Sequence, residues 1–237
     1  MSETNKANAE RRHSIALEPD LIKDPVKRAE AEAANGLRQF DAGKNYAQAA
    51  LDRLTGDGSQ FKLRPSLILS LHREALAGIS TFAGLYRPAG VSIERSQHVP
   101  PGAHRVAELV EDMCEYVNDH WQSKAALHLA AYVMWRLNWI HPFADGNGRT
   151  SRITSYVALT ISTGYILPGS PAIPDQIVSD RSGYFHALDQ ADEACRAGSV
   201  DVTAMEDLLG GMLARQLAGF YRSAGGKLPP GVELDSL

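Results

Sequence analysis

The chain has 237 residues, enough to bury a core in one or two domains. Its net charge of −4, with no long block of like charge, argues against a nucleic-acid or membrane-surface partner, since both ask for a basic face. No stretch is apolar for the length a bilayer requires, no apolar signal region follows the polar N-terminus, and the distant Cys114 and Cys195 lack metal-ligand spacing, so the chain reads as a cytoplasmic protein with buried, reduced thiols.

Residues 1–12 are polar and are expected to be flexible. Residues 13–54 are rich in Ala, Glu, Arg and Leu and predict two or three short helices, interrupted near Pro19, Pro25 and Gly43. From Pro65, which suits a first helical turn, Leu67, Ile68, Leu71, Ala75 and Leu76 recur at helical spacing. Residues 84–102 carry three prolines and three glycines around a short Val91-Ser-Ile93 run, and predict a loop or a small β-hairpin. Val106, Leu109, Val110, Met113 and Val117 mark the next helix, and 123–140 is apolar nearly all round, as a helix at a domain centre should be. A helix over about 149–163 ends at Gly164. A Pro-rich loop follows (Pro168, Pro171, Pro174), then one helix around Tyr184, Leu188 and Ala191 and a last one from Met205 to Phe220. The tail, 223–237, reads as an untied end. With no internal repeat and no long linker, the expectation is one mostly helical unit with a small β element, its core and C-terminal helices over 55–222.

Between two of these helices lies His141-Pro-Phe-Ala-Asp145-Gly-Asn-Gly-Arg149-Thr-Ser-Arg152. Gly146-Asn147-Gly148 before a helix start can aim several backbone N–H groups at one anion, with the positive end of the helix dipole behind them. Arg149 and Arg152, three apart, share a face at that same positive end, a conflict that a polyphosphate would resolve. Asp145 beside such a cradle calls for a cation, and Mg2+ suits one carboxylate plus phosphate oxygens; the plainer reading is a helix N-cap. Pro142 turns the chain after His141, whose ordinary pKa near 6.5 suits a general base. Phe143 anchors the loop in the core, and His128 is a hydrogen-bonded core residue.

This string resembles, without a departure, the signature of the Fic family, His-Pro-Phe-x-(Asp/Glu)-Gly-Asn-Gly-Arg-x-x-Arg, and the resemblance extends over about 67–188. Phe82-Ala-Gly-Leu-Tyr-Arg87 is similar to the segment leading into the family's flap hairpin, and Val99-Pro-Pro101 to the one leaving it. The resemblance implies an all-α fold, a single Fic-type helical domain with a small β-hairpin flap. It implies a protein adenylyltransferase that moves AMP from ATP to a Ser, Thr or Tyr hydroxyl. By position, His141 would be the base, Asp145 the Mg2+ ligand, Gly146, Asn147 and Gly148 the anion hole, and Arg149 and Arg152 the phosphate holders. A protein target would pair with the flap, 88–99, by strand addition, which registers its hydroxyl against His141. Relatives that use ATP as a phosphate donor tend to have lysine at position 148, so Gly148 favours nucleotidyl transfer. Homodimers are common in the family.

Many members carry an inhibitory helix with the pattern (Ser/Thr)-x-x-x-Glu-(Gly/Asn), and Ser14-Ile-Ala-Leu-Glu18-Pro19 fits five of its six positions. Ser14 and Glu18 would then share a helix face, with Pro19 ending the helix early. The alternatives are removal of AMP or transfer of another phosphate-containing group at the same site, and a non-catalytic nucleotide- or peptide-binding module. A DNA-binding regulator is disfavoured by the lack of a basic stripe after Leu188. Tyr184 and Gln190 are candidates for an adenine wall.

Overall fold

The computed structural model describes residues 14–15, 21–56 and 60–227. The elements among them run β1 (Ser14–Ile15), α1 (Pro25–Gly56), α2 (Pro65–Leu76), β2 (Ser92–Ile93), a 3-10 turn (Ala103–Arg105), α3 (Val106–Asp119), α4 (Ala126–Ile140), α5 (Asn147–Thr163), α6 (Ile173–Ser179), α7 (Ser182–Arg196) and α8 (Thr203–Ser223). The fold is all-α, and each helix supplies side chains to one continuous core. No described helix is long and apolar enough to cross a membrane.

α4 lies at the centre. Leu129, Ala130, Ala131, Val133, Met134, Leu137 and Ile140 are all buried, which its all-round apolar surface requires. α5 lies against it, and the Ser155 hydroxyl donates to the Ala130 carbonyl at 2.7 Å. α1 is one 32-residue helix where two or three short ones were expected. Gly43 does not interrupt it. A Cβ there would stand 3.0 Å from Ile153 and 3.1 Å from Val157, so the missing side chain lets α1 cross α5 closely. Asn35 and Gln39, polar positions on the buried side of α1, donate to carbonyls in and just after α2: Asn35 to Ala75 and Ala77, Gln39 to Leu71.

Three expectations need correction. The flap holds a single two-residue strand, not a hairpin: β2 pairs with β1, antiparallel, in the register Ser14↔Ile93 and Ile15↔Ser92. Ser14 is therefore extended and not on a helix, because its backbone is engaged by the flap. The Pro-rich loop after Gly164 contains α6, with Pro174 in its first turn, where a proline costs the helix nothing. Glu18, residues 1–12 and the tail beyond Lys227 lie outside the described residues. Cys114 is buried and burial pushes its thiol up to about 12, while Cys195 is only half-buried.

Candidate active site

The site is built on the break between α4 and α5. Pro142 disfavours right-handed helical backbone at the residue before it, and His141 takes a left-handed conformation, φ 52° and ψ 58°, while its own N–H still bonds to the Leu137 carbonyl at 3.0 Å. For a residue with a Cβ this costs about 1–2 kcal/mol, which the surrounding bonds sustain. His141 Nδ1 lies 3.2 Å from the Asn138 carbonyl. A carbonyl can only accept, so Nδ1 carries the proton and Nε2 presents a lone pair. The ring is 6 % exposed. Burial is the main reason its pKa falls to about 4; the Asn138 bond opposes the fall, the Arg87 charge adds to it. At neutral pH the imidazole is a base without a proton on its outward nitrogen.

The turn that follows is tied at several positions. Asn147 folds its side-chain amide back on Phe143, accepting from its N–H at 2.9 Å and donating to its carbonyl at 2.8 Å. Gly146 sits at φ 76°, and a Cβ there would come within 2.5 Å of Leu76. Backbone conformation and space both demand glycine at this position. His72 of α2 completes the clamp. Its Nδ1 accepts from the Gly84 N–H at 2.9 Å, so its Nε2–H donates to the Asp145 carbonyl at 3.0 Å, and its ring stacks on Phe143 with centroids 3.7 Å apart. The first N–H groups of α5 have no intrahelical acceptor and emerge at this mouth.

Asp145 Oδ1 accepts from the Gly146 N–H at 2.6 Å, and Oδ2 faces two guanidinium groups, Arg149 at 3.3 Å and Arg28 at 3.5 Å. Arg28, from the first turn of α1, was not expected here. Arg152 is half-buried, and its Nη1 would stand 3.2 Å from a Cβ added at Gly148. The glycine at 148 thus leaves room for this guanidinium beside the helix mouth. Among the described residues no group of three or more His, Cys, Asp or Glu could hold a metal. A hard cation at this mouth would find one protein carboxylate, Asp145, and would need the rest of its shell from ligand oxygens and water, the pattern expected of Mg2+ on a phosphate.

Arg87 holds the flap to the catalytic loop. Its Nε donates to the His141 carbonyl at 2.7 Å and its Nη1 to the Ala89 carbonyl at 2.8 Å; its Nη2 donates to the Pro101 carbonyl, and its backbone N–H to the Pro142 carbonyl at 2.9 Å. The far end of the flap is fixed by His98, whose Nε2 donates to the Trp139 carbonyl at 2.7 Å. Against the flap lies β1, and from it the Ser14 hydroxyl reaches 2.7 Å from His141 Nε2 and 3.3 Å from Asn147 Nδ2.

Tyr184 is buried, and its hydroxyl accepts from Asn138 Nδ2 at 2.9 Å. Gln190 is exposed and lies six positions on, about 120° around α7, so the two do not share a face as one wall. His128 is half-buried and bonded to Glu206 at 2.8 Å and Tyr116 at 3.0 Å.

Comparison with known proteins agrees with this fold. Residues 62–159 match the Fic/DOC family model. The protein adenylyltransferase Fic of Drosophila persimilis is 38 % identical over 163 residues, which is 67 % of this chain and 29 % of that protein, so the chain spans less than a third of that relative's length. Among solved structures, a Fic-domain signalling protein of Bacteroides thetaiotaomicron superposes with a TM-score of 0.68 at 18 % identity, covering 88 % of this chain and 78 % of the other. C. elegans Fic-1 gives a TM-score of 0.60 at 21 % identity, covering 85 % and 55 %.

Proposed function

Since the chain belongs to the Fic/DOC family through residues 62–159, we propose that it is a protein adenylyltransferase, moving AMP from ATP to a Ser, Thr or Tyr hydroxyl of a protein. The name of the Drosophila relatives supports this, and the observation that carries it lies in the chain itself. A neutral imidazole with its Nε2 lone pair outward stands beside the first residue of a helix whose N-terminus is lined by two arginines and a carboxylate. That arrangement supplies a base for an attacking hydroxyl and a seat for a triphosphate.

The roles follow from position. His141 Nε2 takes the proton of the acceptor hydroxyl, while Nδ1, held by the Asn138 carbonyl, fixes ring and tautomer. The N–H groups of Asn147 and Gly148, at the start of α5, meet phosphate oxygens; Gly146 supplies the turn that opens the mouth, its own N–H bonded to Asp145 Oδ1, and Asn147 spends most of its side chain keeping the loop closed. Arg149 and Arg152 neutralise the polyphosphate. Asp145 would hold Mg2+, which when bound would offset negative charge on the phosphates. Arg28 and Arg149 now share that carboxylate, Arg28 also donating to Glu32 at 3.3 Å, and a bound phosphate competes with Asp145 for the Arg149 guanidinium. A target strand binds along β2 of the flap, which Arg87 and His98 hold in place. Glu18 acts as a brake on ATP binding from the N-terminal segment.

The direct test is a mass spectrum of the purified chain after incubation with ATP and Mg2+. An added AMP-sized mass on the chain or on a co-purified protein is expected. An added phosphate alone would replace nucleotidyl transfer with phosphorylation.

A further inference from the structure

We propose that Ser14 is an AMP acceptor within its own chain, and that β1 is a built-in substrate strand seated on the flap. The proposal rests on the transferase reading above and adds the identity of one acceptor.

Three independent contacts support it. The backbone of Ser14–Ile15 pairs with Ser92–Ile93, so the flap's strand edge is occupied by a segment of this chain in the mode expected of a target. The pairing register sends the Ser14 side chain toward the base, with Oγ 2.7 Å from His141 Nε2. The Nδ1–H of that ring is committed to the Asn138 carbonyl, so in this contact Ser14 donates its hydroxyl proton and the ring accepts. The Asn147 amide, at the first residue of α5, donates to the same oxygen at 3.3 Å, which places the nucleophile at the helix mouth. A hydroxyl that only filled space against the flap would not need the one imidazole nitrogen that lacks a proton.

The reaction balances without an oxidant or reductant. His141 Nε2 removes the Ser14 hydroxyl proton as Oγ bonds to the α-phosphorus of ATP. The bond from that phosphorus to the oxygen bridging the β-phosphate breaks, and pyrophosphate leaves. The products are Ser14 carrying AMP through a phosphodiester, pyrophosphate and a proton. An outside target needs the same flap edge, so β1 must leave before such a target binds.

The test uses the full chain with ATP labelled at the α-phosphate and Mg2+, with the site of the adduct mapped by peptide mass spectrometry. AMP on Ser14 is expected, lost in Ser14→Ala and in His141→Ala, retained in Ser14→Thr, and formed at a rate independent of protein concentration. Mixing Ser14→Ala, which keeps the base, with His141→Ala, which keeps the acceptor, is expected to label neither at Ser14. Labelling of the His141→Ala chain in that mixture would overturn the intramolecular claim. A synthetic peptide of residues 10–19, added to Ser14→Ala in an excess large enough to displace its β1 from the flap, is the second arm, and AMP on its serine is expected. AMP on other residues or added proteins, with Ser14 and the peptide both bare, would overturn Ser14 as acceptor and leave the transferase reading standing. No AMP on any protein or peptide, in the parent chain and in Glu18→Gly alike, would instead sink the transferase reading itself.

Discussion

Protonating His141 should destabilise the fold by an amount the structure sets. In the unfolded chain the imidazole titrates near its ordinary 6.5, while in the fold burial lowers it to about 4. Between those values the unfolded chain binds a proton that the folded ring refuses, so stability rises with pH across that window and falls as pH drops through it. The full difference corresponds to about 3 kcal/mol, of which about 2 kcal/mol is already lost on going from about pH 8 to about pH 5. The assay is urea unfolding followed by tryptophan fluorescence, comparing the parent chain with His141→Asn at both pH values. The other histidines and the carboxylates titrate in both proteins, so the excess loss in the parent reports His141 alone. Equal losses in the two proteins would mean that the ring is not buried as a neutral base with its proton on Nδ1.

Three further outcomes follow from the geometry. Gly146→Ala should cost about 1–2 kcal/mol for the positive φ and about 1–3 kcal/mol more for crowding Leu76, read as a lower urea midpoint. Its nucleotide binding should weaken because the helix mouth shifts, and an unchanged midpoint would contradict the packing at this turn. Arg87→Met should unfasten the flap from the His141 and Pro101 carbonyls, cutting AMP transfer about tenfold or more, with partial recovery in Arg87→Lys. Undiminished transfer in Arg87→Met would remove Arg87 from the positioning of the flap. Glu18→Gly should raise self-labelling from α-labelled ATP several-fold, and no rise over the parent would release Glu18 from its role as a brake.

The helical frame was legible because its signals are local. Apolar spacing marked α2, α3 and α8, and the all-round apolar stretch marked α4 as the central helix. The turn from His141 to Arg152 was legible because proline, glycine and arginine each impose a local constraint that the structure meets: the left-handed His141, the positive φ of Gly146, the arginines on the first turns of α5. What escaped was non-local. His72 stands on the buried face of α2, where a polar residue among leucines was the available signal, but its partners are a loop carbonyl and a backbone N–H far along the chain. Arg87 belongs to the segment leading to the flap, yet nothing near it in sequence announces three carbonyl acceptors. Gly43 reads as a helix breaker until α5 is seen pressing on it. The resemblance to the inhibitory pattern puts Ser14 on a helix; the flap, almost eighty residues away by the register, holds it extended.

His141 acts as the base for transfer of the α-phosphoryl group with its adenosine. The most direct test of this role gives the parent chain and His141→Ala ATP labelled at either the α- or the γ-phosphate. Label from the α position alone, reduced about a hundredfold or more in His141→Ala, is the expected result. Equal incorporation by the two proteins, or label arriving from the γ position, would contradict it.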